Sequence, residues 1–111
     1  MKRRTALTLL ATAPVAVSLS LAGRAHAAET HVVKIQGFKF SPDKLDVKVG
    51  DTIEFRQGDN APHTATARDK SWDTGTLGNG ESAQIKVVAD MGTSYFCKFH
   101  PMMKGTLNIT G

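Results

Sequence analysis

The sequence predicts an all-β domain, folded as a β-sandwich and preceded by a separate leader. From about position 30 onward, short stretches of alternating apolar and polar residues recur, and clusters of Gly, Pro, Asn and Asp separate them. The same region lacks the apolar period of about 3.6 residues that marks an amphipathic helix. Several short strands with turn signals between them are typical of two antiparallel sheets packed face to face.

The leader has the three parts of a secretory signal peptide. Residues 2–4 are basic, residues 5–21 are mostly apolar, and residues 25–27 read Ala-His-Ala, a small-x-small cleavage site. Pro14 interrupts the apolar run, which is also short for a membrane span of about 20 residues. We therefore predict a cleaved signal peptide at 1–27, a single domain at 28–111, and export to the periplasm.

Alternation of apolar and polar residues places the strands of the domain in order. Val33 and Ile35 share one phase, whereas Phe38 and Phe40 follow in the other, so a bulge is expected at the intervening Gly37. The turn-rich stretch 68–81 is expected to be a loop with one short strand at most. The predicted strands are 31–36, 45–49, 52–56, 63–67, 82–88, 93–97 and 105–109.

Several side chains have expected structural roles. His31 is interpreted as a solvated strand residue, and Trp72 as a packing anchor. The residues expected to be buried in the predicted strands 45–49 and 52–56 are Leu45, Val47, Val49, Ile53 and Phe55.

The charge of the predicted mature domain is balanced. The leader holds four of the 14 Lys and Arg residues and none of the 10 Asp and Glu residues, which leaves ten of each sign. The high isoelectric point therefore belongs to the precursor. Because nucleic-acid binding needs a basic patch, the composition gives no support for a nucleic-acid partner.

One short segment concentrates residues that bind soft metals. Cys97, His100, Met102 and Met103 lie within seven residues, and His63 lies far upstream. Taken singly, a Cys is usually a small buried hydrophobe and a Met usually fills a core. A thiolate, imidazoles and a thioether together match a blue-copper site, and they explain a lone cysteine in an exported protein. Chemistry alone does not choose between the adjacent methionines.

Residues 95–105, YFCKFHPMMKG, resemble the C-terminal ligand loop of the cupredoxins. The resemblance is greatest to the amicyanin branch, in which two residues separate Cys from His and His from Met. It implies a Greek-key β-sandwich that binds one copper ion through His63, Cys97, His100 and Met103. It also implies that electrons pass through the exposed edge of His100.

Two departures from the cupredoxin pattern lie beside these residues. Thr64 stands where many cupredoxins have an Asn that ties the two ligand loops together, and Lys98-Phe99 replaces a Thr-Pro or Ser-Pro pair. Both leave copper binding intact but put the rigidity and the reduction potential of the site in question.

The expected function is that of a small periplasmic type 1 copper protein that shuttles single electrons and is not an enzyme. The alternative is a periplasmic protein that binds or delivers copper. A hydrolase with Cys97 as nucleophile and His63 or His100 as base is disfavoured, because the chain offers no third triad member in a strong context. The expected partners are redox proteins docking near His100, with no nucleic acid, no stable membrane association and a monomeric state.

Overall fold

The computed structural model describes residues 27–111, so nearly all of the predicted signal peptide lies outside the described residues. Within the described range, no helix is long and apolar enough to cross a membrane. The domain is built from strands joined by turns and loops. The strands are β1 (Thr30–Ile35), β2 (Phe40–Ser41), β3 (Lys44–Lys48), β4 (Thr52–Gln57), β5 (Thr66–Ala67), β6 (Ser82–Lys86), β7 (Ser94–Phe96) and β8 (Lys104–Thr110).

The strands form two four-stranded sheets, ordered β2-β1-β4-β6 and β3-β8-β7-β5. Strands β1 and β4 are parallel, as are β3 and β8, while the other pairs are antiparallel. Parallel neighbours need a crossover connection, and here the chain makes it by leaving one sheet for the other. The predicted all-β Greek-key sandwich is confirmed.

The core lies between the sheets and centres on aromatic rings. Phe40, Phe55 and Trp72 surround Tyr95, with ring centroids 4.8 to 5.5 Å from its own. The Trp72 indole also stacks on Phe55 and donates a hydrogen bond to the Gly92 carbonyl oxygen at 2.9 Å. Trp72 is therefore a packing anchor, as predicted. Among the predicted core residues, Val47, Ile53 and Phe55 are buried, whereas Leu45 and Val49 are only partly buried.

The predicted bulge at Gly37 is wrong, because the chain reverses there in a two-residue hairpin turn. Gly37 and Phe38 have φ values of 64° and 60°, and β2 returns antiparallel to β1. Positive φ at both central positions is the signature of a type I′ turn, whose twist matches that of paired strands. A bulky residue such as Phe38 rarely adopts this conformation, which explains why a strand with a bulge was expected instead of a turn.

The interpretation of His31 as a solvated residue is also wrong. Its Nε2 lies 2.8 Å from Oδ2 of Asp51, which is 3% exposed. Asp51 also accepts hydrogen bonds from the backbone N–H groups of Glu29 and Lys48, each at 3.0 Å. These two backbone donors, followed by His31, hold the pKa of Asp51 well below its usual range. One carboxylate thus ties the start of β1 to the turn between β3 and β4.

This carboxylate gives the fold a defined dependence on pH. Because the folded-state pKa is lowered, ionised Asp51 stabilises the fold above its unfolded-state pKa of about 3.9, and this stabilisation is lost as the pH falls below that value. We expect Asp51→Asn to lower the melting temperature of the metal-free protein at neutral pH, and the deficit to shrink near pH ~3. Asp46→Asn, at an exposed position of β3, is the control. A deficit independent of pH would contradict this account.

Tyr95 lies at the centre of the core, where its hydroxyl group is buried. Its side chain is fully buried, and its hydroxyl has no hydrogen-bond partner among the described residues. Burial raises the pKa of this hydroxyl above its usual range. Gly105 lies directly opposite on β8, and a Cβ atom there would overlap the tyrosine ring. The absence of a side chain at position 105 therefore makes room for Tyr95.

Two substitutions test this packing, and they are expected to change the free energy of unfolding in opposite directions. Tyr95→Phe removes the buried, unsatisfied hydroxyl and is expected to raise the free energy of unfolding by about 1 kcal/mol. Gly105→Ala overfills the same place and is expected to lower it by about 1–3 kcal/mol. Urea denaturation of both variants measures the two effects, and a destabilised Tyr95→Phe protein would show that the hydroxyl does have a partner.

Candidate metal centre

His63 is held by the backbone of a strand-like segment that precedes β5. Its N–H donates to the Leu77 carbonyl oxygen at 3.2 Å, and the Leu77 N–H donates back at 2.8 Å. The buried side chain of Gln57 donates to the Ala61 and Leu77 carbonyl oxygens, which fixes the loop leading to His63. The histidine is fully buried. Both its backbone and its approach loop are therefore fixed by the fold.

Cys97 and His100 lie on a compact loop between β7 and β8. The His100 N–H donates to the Cys97 carbonyl oxygen at 3.2 Å, and the Met103 N–H donates to the His100 carbonyl oxygen at 2.8 Å. The Cys97 N–H donates to the Met103 carbonyl oxygen at 3.1 Å, which closes the loop. Its conformation is thus set by its own backbone hydrogen bonds.

The structure brings His63, Cys97 and His100 together. Cys97 Sγ lies 3.6 Å from His63 Nδ1 and 3.8 Å from His100 Nδ1, and the three donor atoms are within 4.8 Å of one another. An ion with metal–nitrogen bonds of about 2.0 Å and a metal–sulfur bond of about 2.3 Å would separate such atoms by roughly 3.6–3.8 Å. The donor atoms therefore have the spacing of ligands to one ion.

A carboxylate orients the His63 ring. Asp59 Oδ2 lies 2.9 Å from His63 Nε2. Hydrogen bonds from the backbone N–H groups of Phe38 and Gly37 hold the pKa of Asp59 below its usual range, so the carboxylate is ionised. An ionised carboxylate only accepts hydrogen bonds, so Nε2 must carry the proton. In the neutral imidazole, the lone pair is then on Nδ1, the nitrogen that faces Cys97, as a metal ligand requires.

Thr64 ties the two ligand-bearing segments together. Its N–H donates to Cys97 Sγ at 3.4 Å, and its hydroxyl oxygen accepts from the Lys98 N–H at 3.0 Å. The hydroxyl also pairs with that of Thr66, which donates to Asp73. The departure from the usual Asn therefore leaves the link between the loops intact, and the donor to sulfur can tune the potential of a bound metal.

The two adjacent methionines point in different directions. Met103 is 4% exposed and packs in the core, whereas Met102 is 90% exposed. Of the two, Met103 is the buried one, and it is the residue that the resemblance gives as the axial ligand.

Two residues at the site, Asp59 and Phe38, were missed from the sequence. The Phe38 ring lies against both imidazoles, with centroids 5.1 Å from His63 and 4.7 Å from His100, each at an interplanar angle of 86°. The alternation of Phe38 with Phe40 suggested a strand. Gly37, a residue suited to a tight turn, was the only signal that could have predicted a hairpin there.

The chain matches the model of the Cupredoxin-like domain family over residues 8–109 and belongs to that family. This match covers the domain and part of the predicted leader. A search of the curated proteins finds no match. The family match and the cluster of His63, Cys97 and His100 together confirm the prediction of a copper cofactor.

Solved structures show the same fold. A mutant of amicyanin in its Cu(I) form is 26% identical, with a TM-score of 0.65, over 78% of this chain and 87% of that one. A purple cupredoxin from Nitrosopumilus maritimus is 20% identical, with a TM-score of 0.66, over 72% of this chain and 99% of that one. A copper-containing nitrite reductase from Thermus scotoductus SA-01 is 28% identical, with a TM-score of 0.67, over 74% of this chain, which spans only 22% of that enzyme.

The role of Thr64 can be tested by removing its hydroxyl alone. Thr64→Val leaves the partly buried Lys98 N–H without its acceptor, so the free energy of unfolding should fall by about 1 kcal/mol. Thr106→Val, at an exposed position of β8, is the matched control and should change stability little. Chemical denaturation measures both, and equal effects in the two variants would contradict the proposed link.

Proposed function

We propose that this chain is a small periplasmic type 1 copper protein that shuttles single electrons between redox partners. The spacing of Cys97 Sγ from the Nδ1 atoms of His63 and His100 is the observation that carries the proposal. These three residues would hold the copper ion, and the buried Met103 would supply a further, weak thioether ligand. Copper, when bound, supplies a one-electron redox couple.

The hydrogen bonds around the ligands favour an electron carrier. Cu(II) and Cu(I) prefer different geometries, so an electron moves quickly only where the protein limits rearrangement between them. Asp59 fixes the His63 ring, and Thr64 joins the Cys97 sulfur to the opposite segment. The chain's own contacts thus hold three donors in an arrangement that both oxidation states can use.

The same features disfavour copper delivery and catalysis. A protein that delivers copper needs ligands from which the ion dissociates quickly, but His63 and Cys97 are fully buried and held by hydrogen bonds. Catalysis at a metal needs an open coordination position for substrate, whereas His63, Cys97, His100 and Met103 would together leave no such position on copper. The periplasmic location rests on the signal-peptide pattern of residues 1–27.

Partner docking is proposed at the end of the sandwich that carries His100. His100 is partly exposed, and three large apolar side chains on the neighbouring loops are exposed: Phe38 by 50%, Phe99 by 49% and Met102 by 90%. Pro62 and Pro101 are exposed as well. A small apolar rim suits the weak, transient contacts of redox partners.

The visible absorption spectrum after addition of one equivalent of Cu(II) tests the proposal. An intense thiolate-to-copper band is expected in the wild type and should vanish in Cys97→Ala. The band should shift in Met103→Ala and stay unchanged in the matched variant Met102→Ala. A colourless protein that binds copper tightly would overturn the electron-carrier proposal in favour of copper handling.

A charge placed on the apolar rim should slow electron exchange between two copies of the protein. Met102→Lys adds like charges that meet at the docking surface, so the electron self-exchange rate should fall by roughly tenfold at low salt. Nuclear magnetic resonance line broadening in mixed Cu(I) and Cu(II) samples measures this rate. Val88→Lys, at an exposed apolar residue beside the turn at Asp51, is the control. Equal slowing by both variants would exclude docking at the His100 end.

A further inference from the structure

We propose that Phe38 is a positioning residue of the metal centre: anchored by Asp59 in a left-handed turn, its ring braces the imidazoles of His63 and His100 and slows loss of the metal. The inference rests on the copper site proposed above. It goes further by assigning a role to a residue outside the ligand set and outside the motif that revealed it.

The backbone at Phe38 is the first observation. Its φ of 60° places a bulky side chain in a region that non-glycine residues rarely occupy. Such strain persists only where surrounding contacts over-determine the conformation, and it clusters at functional sites. In the described part of the chain, the one other non-glycine residue with positive φ is Lys70, at 67°.

Asp59 supplies the contacts that hold the strained turn. Its Oδ1 accepts from the Gly37 N–H at 2.8 Å and its Oδ2 from the Phe38 N–H at 2.9 Å. Successive N–H groups in left-handed conformation form a concave nest that binds anionic groups. The same Oδ2 accepts from His63 Nε2 at 2.9 Å. A single carboxylate therefore fixes the Phe38 backbone and the His63 ring together.

The ring of Phe38 completes the arrangement. It meets both imidazoles edge to face, and the imidazole centroids themselves are 5.0 Å apart, so the three rings form one cluster. His100 is only partly buried, and within residues 27–111 its ring has one polar contact, with Cys97 Sγ. The Phe38 ring thus opposes rotation of the His100 ring away from the sulfur, together with the neighbouring ring of His63.

Packing alone does not explain this residue. The Phe38 ring is half exposed, so it contributes less burial than a core phenylalanine, and its backbone is strained. A glycine at position 38 would relieve the strain and keep both N–H donors to Asp59. A bulky ring at this position stabilises the two imidazoles, whereas its strained backbone destabilises the turn that carries it.

Three variants separate the ring from the strain. Phe38→Gly removes both, Phe38→Tyr keeps both, and Lys70→Gly relieves the same kind of strain away from the two imidazoles. The measurements are the melting temperature of the metal-free protein and the rate at which the Cu(I) protein loses copper to excess bathocuproine disulfonate. A further readout is the NMR chemical shifts of the His63 and His100 ring protons, which respond to a neighbouring aromatic ring.

We expect Phe38→Gly to retain the melting temperature, to lose copper roughly fivefold faster, and to lose the ring-induced shifts of both histidines. Phe38→Tyr should restore the wild-type rate and shifts. Lys70→Gly should raise the melting temperature and leave the rate of copper loss unchanged.

Wild-type rates of copper loss in Phe38→Gly would overturn the assignment and leave Phe38 as an ordinary surface residue. Faster loss in both glycine variants would also overturn it, because the effect would then follow backbone strain rather than the ring. A wrong proposed function would give a different result, because the wild-type protein itself would then lack the intense thiolate-to-copper absorption band.

Discussion

The metal centre depends on one constraint: two segments far apart in sequence must meet with their donor atoms a few ångströms apart. His63 and Cys97 are separated by 34 positions, and their Nδ1 and Sγ atoms lie 3.6 Å apart. Thr64 holds the two segments together, because its N–H donates to Cys97 Sγ and its hydroxyl oxygen accepts from the backbone N–H of Lys98. Neither segment alone has the donors to bind a metal in this arrangement, so the fold is what makes the site.

The two sheets supply the geometry behind that contact. Strand β7 pairs with β5 on one side and β8 on the other, which places the loop after β7 beside the segment that carries His63. Tyr95, two residues before Cys97, anchors β7 in the aromatic core. At the other end of the sandwich, Asp51 joins β1 to the turn before β4. The metal centre is therefore an extension of a rigid core.

Much of this was predictable from sequence, for a physical reason. Alternation of apolar and polar residues indicates which strand positions are buried, so the sandwich could be predicted. The residue types and the short spacing of Cys97 and His100 suggested a common metal site, whereas the choice of Met103 came from the family resemblance and stays a prediction. Long-range polar contacts leave no such pattern, which is why the partnership of His31 with Asp51 was missed. Phe38 was missed because a phenylalanine rarely adopts the positive φ angle that it has in this turn. The hydrogen bonds from the turn to Asp59, which stabilise this conformation, are visible only in the structure.

In an electron carrier of this kind, the protein rather than the oxidation state of copper sets the arrangement of the ligands. Crystal structures of the copper-loaded protein in its Cu(II) and Cu(I) forms test this most directly. If the protein sets the arrangement, the separations of Cys97 Sγ from the two Nδ1 atoms should stay near 3.6 and 3.8 Å in both forms. A Cu(I) structure in which His100 or His63 has left the metal would contradict it and would favour a protein that hands copper on.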